Sequence, residues 1–204
     1  EVGGTFATGT ETGLTIEGII YSFAVGGQEF YLDDVCPGPR AGMHAYECVD
    51  FRHLTEGSTF HPGDTIVSRY NPINVENFLL PDGTEITDGT AVIDRAHEDP
   101  PTDLGVWTHN TRISPVIIQA NERLSFGYFN FGEVINLRVN GDMRVVEDLS
   151  LLNGTVVGGT RLGVLYMDEN NYRAVSLKGD VKSFAIGGSQ LWVNYICLED
   201  ESPP

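Results

Sequence analysis

Short runs of β-branched and aromatic residues follow one another along the chain, separated by Asn-Gly, Asp-Gly and Gly-Gly pairs. Gly and Asn accept positive φ at little cost, so these pairs mark tight turns. No stretch of ten or more residues carries the i, i+3, i+4, i+7 apolar spacing of a capped helix. The pattern predicts strands near 65–69, 73–80, 90–94, 113–118, 124–131, 134–140, 143–147, 163–167, 173–178, 180–186 and 190–197. Asn140-Gly141-Asp142 predicts a hairpin between the flanking apolar runs. Residues 96–104, with Pro100-Pro101 inside them, predict a long loop, because Pro cannot donate to a central ladder. Many short strands with frequent turns make an all-β protein, an antiparallel β-sandwich or jelly roll.

An internal repeat shapes the expected domain organisation. Residues 15–36 read TIEGIIYSFAVGGQEFYLDDVC, and residues 176–197 read SLKGDVKSFAIGGSQLWVNYIC, an offset of 161. Seven of the 22 positions are identical, among them Phe23/Phe184, Gly26/Gly187, Gly27/Gly188 and Cys36/Cys197. Read locally, each copy is a β-hairpin turned by its Gly-Gly pair. In the first copy Ile20, Phe23 and Val25 lie on one strand, and Phe30 and Leu32 on the next. The expected organisation is then closing strands of a preceding module (1–36), a linker (37–47), a complete sandwich (48–198) and an acidic tail (199–204). The opening Glu1-Val2-Gly3-Gly4 shows no signal peptide and reads as the start of a processed or excerpted protein.

The segments SFAVGGQEFYLDDVC and SFAIGGSQLWVNYIC, together with the opening CVDFRHLTEGSTFHPGDTIVS, resemble β-sandwich repeat modules of large extracellular bacterial surface and adhesive proteins. Those modules start on a CVDF-like motif and finish on a FxIGGxELWIDDVC-like one. The resemblance implies the fold, an extracellular or cell-surface location and no assigned activity. Asn194-Tyr195 departs from the pattern where the first copy has Asp33-Asp34.

Charge narrows the partners. Twelve Lys and Arg stand against 29 Asp and Glu, a formal net charge of −17. Such an excess argues against nucleic acid and anionic membranes, which require clustered basic residues. No apolar run is long enough to span a bilayer. Hard cations take oxygen ligands, so Asp33, Asp34 and Asp50 are the candidate calcium ligands where a module's two ends would meet. Cys48 opens the module and Cys197 closes it; they can pair with each other, Cys36 can pair with Cys48, or the thiols can stay free. Either bridge implies an oxidising compartment.

Trp107 and Tyr128 are the candidate platforms for stacking on a sugar, while Trp192, opposite Tyr31 in the repeat, reads as core. Glu98, Asp99 and Asp103 share the predicted loop, but paired-carboxylate catalysis needs a geometry that sequence does not display. No nucleophile elbow, phosphate loop or zinc motif is present. The expected function is therefore a non-enzymatic structural module. It would assemble head-to-tail with copies of itself or adjacent modules, by strand donation from residues 1–36. The alternative is a calcium-dependent carbohydrate-binding or adhesion module whose partner is a polysaccharide.

Overall fold

The computed structural model describes residues 48–49, 51–68, 71–95, 104–117, 121–167 and 172–199. The chain divides into two units, Glu1–Gly38 and Pro39–Pro204, and all described residues belong to the second. The expected closing strands at 1–36 (with Ile20, Phe23, Val25, Phe30, Leu32 and Cys36), the linker at 37–47 and the tail from 200 onward lie outside the described residues. So do Asp33, Asp34 and Asp50.

The described residues form an antiparallel β-sandwich. In chain order the strands are β1 (Thr59–Phe60), β2 (Thr65–Val67), β3 (Pro72–Leu79), β4 (Glu85–Ile86), β5 (Thr90–Arg95), β6 (Leu104–His109), β7 (Thr111–Pro115) and β8 (Asn121–Asn130). Then follow β9 (Ile135–Val139), β10 (Asp142–Val146), a 3-10 turn (Leu149–Leu152), β11 (Val156–Val157), β12 (Thr160–Met167), β13 (Tyr172–Val181), β14 (Phe184–Gly188) and β15 (Leu191–Glu199). The larger sheet has eight strands in the order β1-β5-β6-β15-β8-β13-β12-β11. The smaller has seven, β10-β9-β14-β7-β3-β2 with β4 on β3. Ile93, Val106, Phe126 and Val193 of the first sheet share one apolar core with Ile73, Ile113, Leu137 and Ile186 of the second. That interface is the sandwich interior, where apolar burial is the main stabilising term.

The predicted hairpin at Asn140-Gly141 is present between β9 and β10, with φ of +49° and +85° at the two turn residues. Positive φ at both positions suits the right-handed twist of the strands. The Gly187-Gly188 prediction is corrected. These glycines end β14 instead of forming a turn, and no hairpin follows, since β14 lies in the smaller sheet and β15 in the larger. Gly187 is needed for closeness: a Cβ there would stand 1.8 Å from the Thr111 carbonyl oxygen of β7. The segment 184–199 is thus a crossing between layers, supplying a strand in the middle of each sheet.

Cys48 pairs with Cys197. The Val49 N–H donates to the Ile196 carbonyl at 2.8 Å, so the module's opening residues lie along its last strand. Of the two pairings open at the sequence level, the first is realised.

Candidate functional site

Strand alternation gives the two faces of the larger sheet different residues. On β8, Leu124, Phe126 and Tyr128 enter the main core while Phe129 faces the other way. On β5, β6 and β15, Ile93, Val106 and Val193 point inward, and Val92, Trp107 and Trp192 point outward. Register then aligns the outward set. Val92 pairs with Trp107, Trp107 with Trp192, Trp192 with Phe129, and Phe129 with Tyr172. A single row of large apolar side chains therefore crosses five adjacent strands. The Phe129 ring lies 5.5 Å from Trp192 and 4.9 Å from Tyr172, both tilted, as aromatic quadrupoles prefer.

Glycines on β6 and β8 make room for the outward-facing rings. A Cβ at Gly105 would come within 2.6 Å of the Trp192 ring, and one at Gly127 within 2.5 Å of the Tyr195 ring. Both indole N–H groups find carbonyl acceptors at the end of β5: Trp107 donates to Arg95 at 3.2 Å, and Trp192 to Asp94 at 3.1 Å. These bonds satisfy polar atoms that burial would otherwise penalise.

Next to the row, toward one end of the sandwich, opens a cleft of about 480 Å³ lined by Val92, Asp94, Trp107, His109, Phe131 and Gln190. Two layer crossings bring these residues together. β6 passes to β7 through Asn110, which takes φ +53°, and β14 passes to β15 through Ser189 and Gln190. The crossings are tied side by side: the Asn110 N–H donates to the Gly188 carbonyl at 2.9 Å, and the Gly188 N–H donates to Thr108 Oγ1 at 3.0 Å. Phe131 is held to the same corner by its N–H, which donates to the Gln190 carbonyl at 3.0 Å.

Trp107 is the floor of the cleft, only 8% exposed, and Phe131 is its open wall, 49% exposed. Their rings stand 5.2 Å apart, and His109 stacks on Trp107 at 6.1 Å with the planes 5° apart. Burial holds the His109 imidazole below its ordinary pKa, so it is neutral at neutral pH. The lining thus combines aromatic faces with one carboxylate, one neutral imidazole and one carboxamide. That mixture fits a ligand having both a C–H face and hydroxyl groups.

Of the predicted stacking residues, Trp107 reaches the cleft and Tyr128 does not. Tyr128 is fully buried, and its position on β8 puts it on the core side with Phe126. Burial there also pushes its phenol pKa well up. Trp192, read as core, is buried, but in the outer row and not the main core. Phe131 is the residue that sequence reasoning missed. A period of two from Phe129 puts it on the Trp107 face, and the Gly132 that follows marks the end of the strand run. Glu98, Asp99 and Asp103 lie outside the described residues, as do the candidate calcium ligands. Among the described residues no group of three His, Cys, Asp or Glu side chains could hold a metal ion, and no helix is long and apolar enough to cross a membrane.

No family model matches the chain, and no curated protein matches it. Among solved structures it is similar to the catalytic unit of a thermostable GH87 alpha-1,3-glucanase from Streptomyces thermodiastaticus strain HF3-3, at 14% identity and a TM-score of 0.34. That similarity covers 79% of this chain and 27% of the glucanase chain, and at this level it carries no argument about activity.

Proposed function

We propose that this protein is a non-enzymatic, extracellular carbohydrate-binding module, with the cleft on the outer face of the larger sheet as its saccharide site. The observation that carries this reading is the half-exposed Phe131 ring standing over Trp107, with Asp94, His109 and Gln190 at its margins. An aromatic wall accepts the C–H face of a sugar ring, and a carboxylate and a carboxamide pair with its hydroxyls. The Cys48–Cys197 bridge suits an oxidising, extracytoplasmic setting. Isothermal titration against soluble oligosaccharides, with wild type and Phe131→Ala, tests it. The expected result is saturable binding that weakens at least about tenfold in the variant, with an unchanged melting temperature. Equal binding by both proteins removes the cleft from consideration.

Head-to-tail assembly is a second reading, favoured by the repeat. The copy at 176–197 covers most of β13, all of β14 and most of β15, so its last two strands sit mid-sheet in separate layers. An element of related sequence at 15–36 would suit that slot in another copy of the chain, and donation would link copies without closing a ring. Sedimentation of the full chain and of a variant lacking residues 1–36 tests this. Assembly that survives the deletion excludes donation.

A further inference from the structure

Resting on the saccharide reading of the cleft, we propose that the site takes an uncharged pyranoside and excludes uronates and other anionic sugars. Carboxylates are recognised by Arg forks or Lys ammonium groups. Among the described residues lining the cleft there is neither, and the charged side chain present is the acid Asp94. His109, desolvated beside Trp107, supplies no cation at neutral pH. The neighbouring Arg95 is directed elsewhere, with its guanidinium 3.3 Å from the Glu56 carboxylate. A net charge of −17 adds long-range repulsion of polyanions.

A neutral sugar meets none of these obstacles. Its hydroxyls donate to the Asp94 carboxylate, while the Gln190 amide both donates and accepts. Phe131 offers ring area that one sugar face covers. One Asp94 oxygen already accepts the Arg95 N–H at 2.7 Å, which holds the carboxylate in place before a ligand arrives. An Asn at this position keeps that acceptor and loses the charge.

The test is titration of the full chain, at low and at high salt, with neutral gluco-, xylo- and galacto-oligosaccharides and with oligogalacturonates of matched length. We expect at least one neutral series to bind at least about tenfold more tightly than the uronates, with the gap narrowing as salt screens the repulsion. In Asp94→Asn, checked for an unchanged melting temperature, neutral affinity falls several-fold and the discrimination shrinks. Uronates binding as well as or better than neutral sugars would overturn the selectivity and leave the saccharide reading standing. Failure of both series to bind overturns that reading and this inference together.

Discussion

On the outer face of the larger sheet, the row Val92, Trp107, Trp192, Phe129 and Tyr172 runs across five strands. On the outer face of the smaller sheet, the corresponding row is Glu76, Arg112, Gly187 and Asn136. The second row is held together by ion pairs and side-chain bonds to backbone. Arg112, almost buried, lies 3.4 Å from a Glu76 oxygen, and Arg138, one row along, bonds the other oxygen. Gly187 and Ala185 leave the space over which the two guanidiniums reach the shared carboxylate. Asn136 exchanges both of its amide bonds with the Leu79 backbone. The first row satisfies its two indoles internally but ends in the open wall of Phe131. The same alternating backbone therefore carries one face built on a partly buried ion-pair cluster and one face with exposed ring surface.

Removing the bridge that frames both faces should have the largest effect. The Cys48–Cys197 bond closes a loop with a sequence separation of 149. In the chain-entropy picture its loss costs about 5 kcal/mol. Cys48→Ser with Cys197→Ser should lower the denaturation midpoint accordingly under non-reducing conditions, and a peptide map of the parent should show the two cysteines joined.

Glu76→Ala separates the faces. It leaves Arg112 charged and buried without its partner, at a cost of about 3 kcal/mol. Oligosaccharide affinity of the surviving folded protein should not change, because the cleft lies on the opposite sheet. A small loss of stability would show that water, and not Glu76, satisfies Arg112.

The smallest effect concerns His109. Its folded pKa lies below the ordinary 6.5, so the unfolded chain binds the proton more readily. The stabilising contribution of the neutral ring is complete above about pH 6.5 and is lost as pH falls from there toward the folded value. His109→Gln should flatten that part of the stability profile, measured by thermal melts from neutral to mildly acid buffer.

Several of these features were legible from residue order. Alternation through Leu124, Phe126 and Tyr128 against Phe129 and Phe131 separates core from outer face, and it removes Tyr128 as a stacking platform once it is followed strictly. Asn140-Gly141 announces its hairpin because two adjacent positive-φ residues have few other uses. Leu104–His109 was missed as a strand. Its middle residues are buried on both faces, so no alternation marks it. The Gly187-Gly188 pair was misread for a different reason. Glycine serves positive φ and close backbone approach alike, and local sequence does not say which.

Taken alone, the sequence determined the all-β class, most strand positions, the turn at Asn140 and the cysteines available to join the module's ends. These depend on local propensity and period-two patterning, which act over a few residues. Tertiary structure decided which sheet each strand joins, that Cys48 meets Cys197, and that Trp107, His109, Phe131, Asp94 and Gln190 share one cleft. Those choices depend on pairings between residues far apart in the chain. Register and layer packing select them, and no short window of sequence contains both partners.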